Sequence, residues 1–518
     1  MFYYYFRSMK LLLLLSVFLS LLSCSNKISP AFKSNIYTAT ANTMVVNDGL
    51  MFSHRSYGDV DFTKDEKALK SILKQNRYKF DNVLVYGKTN TDPIYEYVIL
   101  ADSKNDWKTQ HDFYIKDTVA NNHTYTFIGI SHAGYRPEPD FKYLSGSFKF
   151  GGNYNKGNET VMAVSDKYSY TSLFYTALTE ITNYPVYDKQ EESIKLQLQL
   201  TYASFLGPNK LYDILIKDWE RGTVKHSITE IIKEKGIRGI EGVTRKILEE
   251  TKDRNVVMFN ENHFYPNNRK LVSLLLPQLK AQGFKYLALE ALDETQDSLL
   301  NAGKAITIDT GFYTKEQNYR QLITAAQDLG YSFVAYESHG EGNREEIQTA
   351  NLYAKTIGRD KNAKVLVLAG IDHINEVPGG DGIKRMSAIF KEKYNIDPLT
   401  FSQTGLAMYR YNFDDAMIVN SDFFSDPTFK RTDFQIVNNL SISDENVNFE
   451  YINTFKEKIQ LNIFEYDTIK NTYISNVPYR ACLVEENETL QLHLSPGAKK
   501  LIVLNKEGKV IEETIVKN

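Results

Sequence analysis

Between residues 228 and 411, short and continuously apolar runs alternate with amphipathic segments, and this pattern limits the fold more tightly than any other feature of the chain. The runs at 256–259, 286–289, 333–336 and 364–368 lack the apolar/polar alternation of a strand with one wet face, so each must be buried on both sides. Between the first two, residues 268–282 place Leu271, Leu274, Leu275 and Leu279 at helical spacing, with Gly283 to end the helix and Pro277 to kink it. Residues 315–329 repeat the pattern with Tyr319, Leu322, Ile323 and Ala326 before Gly330, and 344–357 give a third helix. Buried strands joined by right-handed helical crossovers make an α/β domain with an open, mainly parallel sheet flanked by helices, assigned here to 223–441.

Each of these strands delivers an ionisable residue where its carboxyl end should fall. The first gives Glu261 and His263 in Asn260-Glu261-Asn262-His263, the second Glu290, the third Glu337 and the fourth His373 in Gly370-Ile371-Asp372-His373. In a parallel sheet all carboxyl ends share one edge, the edge at which ligands bind. A Glu after a strand is commonly a solvated loop residue, and a lone His is commonly structural. Four strand ends in succession are another matter, because carboxylates brought so close repel one another and require a metal, a shared proton or a cation. Arg269, Arg344 and Arg385 are the candidate cations; the first two open the helices after the first and third strands, where free backbone amides also favour an anion.

At these residues the chain resembles a known superfamily. The segment from Val257 to His263, the downstream Arg269 and the run ending in Leu289-Glu290 are similar to the opening motifs of the erythromycin esterase, ChaN and Tiki superfamily, with Asn260 where that group has Gly. Gly311-Phe312-Tyr313, Ala335-Tyr336-Glu337, Arg344, Gly370-x-x-His373 and the stretch from Asp397 to Gln403 resemble the later motifs, in order. The resemblance implies a sheet of that type and leaves three activities open, because its members include esterase-like hydrolases using a His-activated water, metal-dependent proteases and haem-binding lipoproteins.

The chain's start points to a compartment. Arg7 and Lys10 precede an apolar run at 11–22, shorter than the ~20 residues that span a bilayer, and Leu21-Leu22-Ser23-Cys24 follows. Residues 1–23 read as a signal peptide. Its ending resembles the lipobox of bacterial lipoproteins, which implies a lipid anchor on Cys24, an extracytoplasmic location and, with Ser25 next, the outer membrane. A polar tether is expected over 24–49 and a tyrosine-rich α+β region over 50–222, with strands at 83–86, 95–100 and 124–130 and helices at 65–75 and 193–219. Gly129-Ile130-Ser131-His132-Ala133 fails as a serine nucleophile elbow because Ala133 replaces the second Gly. The alternation at 490–494 and the turns at Ser495-Pro496-Gly497 and Glu507-Gly508 give a C-terminal antiparallel β module over 442–518.

The net charge of -3, with no long basic run, gives no footprint for nucleic acid. Cys482 is the only cysteine besides Cys24, so there is no disulfide framework. The leading expectation is hydrolysis of an ester, lactone or amide in a small molecule or peptide. His263 is the general base, oriented by Glu261 or Glu290; His373 and Arg344 stabilise developing negative charge, Arg269 and Arg344 bind substrate, and Glu337 is a second acid/base or a metal ligand. Glu261, His263, Glu337 and His373 have the mixed oxygen and nitrogen donors for Zn, Mn or Fe, although the HExxH motif is absent. Two other readings stand beside this one: a haem- or metal-binding uptake lipoprotein without turnover, and a surface interaction lipoprotein whose flanking modules do the work.

Overall fold

The computed structural model describes residues 160–184, 189–220, 224–337, 342–380, 382–444 and 446–517, together with the backbone of the strands between Thr38 and Phe150. The signal peptide, Cys24 and the helix expected at 65–75 lie outside the described residues. The chain divides into two compact units, Met1–Asn158 with Thr182–Asp188, and Glu159–Ile181 with Lys189–Asn518.

In the first unit an antiparallel sheet runs in the order Asn42–Asn47, Leu50–Ser56, His123–His132, Gln110–Ala120, Tyr97–Ser103, Tyr78–Lys88. The strands expected at 83–86, 95–100 and 124–130 fall on three of these. Strand Asn42–Asn47, inside the stretch read as a tether, pairs with Leu50–Ser56.

The second unit holds the candidate site. Its main sheet comprises β1 (Ile237–Arg238), β2 (Val256–Glu261), β3 (Phe284–Leu289), β4 (Ser332–Ala335), β5 (Lys364–Gly370), β6 (Leu399–Ser402), β7 (Met417–Asn420) and β8 (Phe434–Val437). They lie in the order β4-β3-β5-β2-β6-β8-β7-β1, parallel from β4 to β8 and antiparallel at the β7 and β1 edge. The expected open, mostly parallel sheet flanked by helices is therefore what forms.

Alternation within the apolar runs explains why they carry no polar face. Val257, Phe259, Leu287 and Leu368 pack into one core with helices α1 (Ile240–Glu250), α2 (Pro266–Ala281) and α3 (Gln317–Asp328). Their neighbours Val256, Met258, Ala288 and Val367 pack on the opposite face with α4 (Arg344–Lys355) and α5 (Met386–Tyr394). Leu274 is a correction: it is exposed, and Leu276 takes the buried position instead, because the core-facing stripe of α2 runs through Leu271, Val272, Leu275, Leu276 and Leu279. Pro277 lies within α2 without ending it, and Gly283 supplies the positive φ that turns the chain into β3.

From β2 the chain moves outward to β3 and β4, returns to insert β5 between β3 and β2, and continues to β6 on the far side of β2. The crossover helices change face at this reversal, which opens a crevice above the carboxyl ends of β2 and β5.

The single helix expected at 193–219 is two, Lys189–Phe205 and Lys210–Trp219. Gly207 adopts φ +69, Pro208 cannot donate a backbone hydrogen bond, and the Asn209 side chain caps the second helix by accepting from Tyr212 N at 2.8 Å. The C-terminal antiparallel module is built around Ile459–Asp467, Ala498–Leu504 and Val510–Lys517. It docks against α3, where Arg320 Nη1 donates to Val477 O at 2.7 Å, and buries Cys482. No helix among the described residues is long and apolar enough to cross a membrane.

Candidate active site at the carboxyl edge of the sheet

The register that pairs Glu261 with Gly370 sets the last residues of β2 and β5 side by side, so the loops after them start from one place. Glu261 ends β2 on the face covered by α2. There the guanidinium of Arg269, from the first turns of α2, meets it with Nε–Oε2 2.7 Å and Nη2–Oε1 3.0 Å. Arg269 is 0% exposed and Glu261 2%, so the pair is dry and its charges must balance internally. Arg269 also donates to Glu316 Oε2 at 3.1 Å and to His263 O at 2.7 Å, and lies over the Tyr319 ring at 4.5 Å. Burial alone would push the Glu261 carboxyl up; Arg269 first, and then His263, hold it below the usual carboxylate range.

His263 follows two residues on. Its Nδ1 is 3.0 Å from Glu261 Oε1, and its ring stacks on Tyr313 with centroids 4.1 Å apart. Because an ionised carboxylate only accepts, Nδ1 carries the hydrogen of this contact, and Nε2 is the nitrogen turned away from Glu261. Nε2 points toward Gly370. A Cβ built there would lie 3.1 Å from Glu290 Oε2, 3.4 Å from His263 Nε2 and 3.4 Å from His373 Cδ2. Glycine at 370 thus lets three side chains that the sequence had singled out pack closer to the backbone than any larger residue would allow.

Glu290, after β3, accepts from the backbone N–H of Gly370, from Arg344 Nη2 at 2.7 Å and from His373 Nε2 at 3.3 Å. Burial would raise its carboxyl, but His373, His263 and the Gly370 amide hold it far below the ordinary range. His373 lies between two carboxylates, with Nδ1 2.9 Å from Glu345 Oε2. Burial works against its charged form, and the bonds to Glu290 and Glu345 win, raising its pKa to about 9. It is an imidazolium at neutral pH.

Glu337 stands one step further out. Arg344 grips its carboxylate, and Gln348 Nε2 donates to it at 2.9 Å. The structure therefore brings Glu261, His263, Glu290 and His373 together around Gly370, joins Arg344 and Glu337 to them through Glu290, and places Arg269 beneath them.

Two roles expected from the sequence change with this geometry. Arg269 is fully enclosed by its own partners and cannot touch a substrate. The metal set Glu261, His263, Glu337 and His373 does not fit a divalent ion: Arg269 and His263 use both oxygens of Glu261, both nitrogens of His373 face carboxylates, and Arg344 and Gln348 hold Glu337. Among the described residues no group of three or more His, Cys, Asp or Glu could hold a metal. Neither His263 nor His373 lines the cavity of about 470 Å³ beside the site.

Sequence reasoning missed two buried carboxylates. Glu316 is 0% exposed, caps α3 through Asn318 N at 2.9 Å and Tyr319 N at 2.9 Å, and shares Arg269 with Glu261. Glu345 accepts from Met386 N at 3.0 Å and Arg385 Nη1 at 3.3 Å while orienting His373. A Glu just ahead of an amphipathic helix signals the first; the second sits beside Arg344 at a helix start and reads as a solvated first-turn acid.

No family model matches the chain, and no curated protein matches it. Among solved structures, the type III effector HopBA1 is 16% identical, with 32% of this chain and 84% of that chain covered and a TM-score of 0.22. RRSP, a MARTX toxin effector domain from Vibrio vulnificus, is also 16% identical, with 42% and 46% covered and a TM-score of 0.24. The C-terminal region of Pasteurella multocida toxin is 11% identical, with 55% and 39% covered and a TM-score of 0.26. These TM-scores are too low to bear on fold or function.

Proposed function

We propose that the second unit is a metal-independent hydrolase of an ester, lactone or amide, related to the erythromycin esterase, ChaN and Tiki superfamily and carried outside the cytoplasm by a lipid on Cys24. The observation that supports it best is the 3.0 Å contact of His263 Nδ1 with the buried Glu261, with Nε2 turned toward Gly370.

A water bound at His263 Nε2 gives it a proton as it attacks the substrate carbonyl. Glu261 stabilises the imidazolium that forms, and Arg269 keeps Glu261 ionised to do so. Arg344 and His373 supply fixed positive charge to the tetrahedral oxyanion. Glu290, Glu337 and Glu345 position these two cations. His263 then returns its proton to the departing oxygen or nitrogen. The order of the superfamily-like motifs along the chain supports the same reading, and the signal-like start supports the location.

Hydrolysis of 4-nitrophenyl acetate by the purified mature chain tests the proposal. His263→Ala should lower kcat about 10²- to 10⁴-fold. An unchanged rate would remove His263 from the chemistry.

A further inference from the structure

The cavity of about 470 Å³ opens over the carboxyl ends of β2 and β6, which put Asn260 and Ser402 on its wall. Asn262 also lines it, one residue from each member of the Glu261 and His263 pair. Trp219, Tyr265, Tyr409 and Phe429 add aromatic surface, the kind of wall that binds a flat apolar body while a few polar groups set its orientation.

Asn260 and Ser402 are spent within the protein. Asn260 Nδ2 donates to Ile371 O at 2.9 Å and Thr404 Oγ1 at 2.8 Å, its Oδ1 accepts from Gln403 N at 2.6 Å, and Ser402 Oγ accepts from Gly405 N at 3.1 Å. Asn262 differs. Its backbone N–H donates to Asn268 Oδ1 at 3.2 Å and its C=O accepts from Tyr265 N at 2.8 Å, but its carboxamide makes no hydrogen bond to any described residue. The residue is 7% exposed, and neither polar atom of that carboxamide is sealed from solvent. A ligand filling the cavity drives water off this group and has to replace its hydrogen bonds; a secondary amide, with a donor and an acceptor of its own, can do so.

Charge narrows the choice further. Each carboxylate on the wall faces its own cation: Glu220 meets Arg410 at 2.8 Å, Asp426 meets Lys225 at 3.0 Å and Asp372 lies 4.0 Å from Arg385. Arg431, half-buried on the same wall, has no carboxylate of the described residues within ion-pair distance. The wall therefore carries one unmatched positive charge, which suits a carboxylate.

We propose that this cavity binds an N-acylated aromatic amino acid, with its ring on the aromatic wall, its amide at Asn262 and its carboxylate at Arg431. The place of that group in a substrate rests on the hydrolase reading; the binding itself does not.

Titration calorimetry on the full mature chain tests this without requiring turnover. The probes are N-acetylphenylalanine, its uncharged amide N-acetylphenylalaninamide, and hydrocinnamate, which keeps the ring and carboxylate but lacks the acylamino group. N-acetylphenylalanine should bind the natural chain about tenfold more tightly than either of the others, the worth of one well-placed polar contact. Arg431→Gln should bring the acid and its amide to within about twofold while the preference over hydrocinnamate stays. Asn262→Leu should do the converse, so that each variant shows the other to be folded. His263→Ala should leave both preferences intact. No binding of N-acetylphenylalanine by the natural chain, equal affinities for the three probes, or a preference that survives its own substitution would each overturn the proposal. Both preferences in a chain that hydrolyses no ester would overturn the hydrolase reading and leave the binding site standing.

Discussion

Replacing Arg269 with Met tests the foundation of the site, because the substitution keeps an unbranched side chain that fills much of the same volume and removes its charge. Glu261 and Glu316, 2% and 0% exposed, would then face each other's neighbourhood without a cation. Breaking one side of a buried ion pair costs about 3–5 kcal/mol, and loss of the stacking on Tyr319 at 4.5 Å adds about 1 kcal/mol. The pH dependence carries the sharper information. In the natural chain Glu261 titrates below its ordinary value, so its contribution to stability is present above about pH 4.3 and is lost as pH falls through the folded value. Without Arg269, burial dominates and the folded carboxyl titrates above the unfolded one. The folded state then holds more protons, and stability declines as pH rises from 5 to 8. Urea unfolding followed by circular dichroism at pH 5 and pH 8 measures both effects. The expected result is a loss of about 4 kcal/mol at pH 8 and a smaller loss at pH 5. A variant within about 1 kcal/mol of the natural chain at pH 8, or equally weakened at both values, would refute the claim that Arg269 holds Glu261 ionised.

Three further outcomes follow from the same geometry. Loss of the His373 imidazolium as pH passes about 9 should lower kcat on that limb, and its share of stability, present below about pH 6.5, should fade over the same rise; a rate flat to pH 10 would contradict its electrostatic role. Gly370→Ala, whose methyl would press on Glu290 Oε2 at 3.1 Å and His263 Nε2 at 3.4 Å, should cut kcat by about 10²-fold, and natural activity would show that close packing at Gly370 does not position His263 for the reaction. Dialysis against EDTA should leave hydrolysis unchanged because arginine and carboxylate partners fill the proposed metal donors; a loss restored by Zn, Mn or Fe would reverse that conclusion.

The sheet was legible because its strands announce themselves as apolar runs too short for helices and too continuous for one-sided burial. The same runs located Glu261, Glu290, Glu337 and His373, since a buried strand can only change to ionisable residues where it leaves the core. Partnership was not legible. Nothing in the spacing of Arg269 tells that it lies under the site rather than in it; this depends on α2 packing flat on the sheet and carrying its first turns inward. Glu316 and Glu345 escaped for a related reason. Each starts a helix, where an acidic residue is ordinary on the surface, and only the tertiary packing buries them. The break at Gly207-Pro208 was local and could have been read from the two residues alone. The β7–β8 pair shows no comparable signal, because both strands are short and follow irregular segments.

The central claim is that Glu261 and His263 act as one unit. A double-mutant cycle of Glu261→Gln and His263→Ala on kcat for 4-nitrophenyl acetate tests it most directly. Cooperation predicts that each single variant loses about 10³-fold and that the double variant is no slower than His263→Ala alone. Losses that multiply in the double variant would mean that the two residues act separately, and would contradict the dyad.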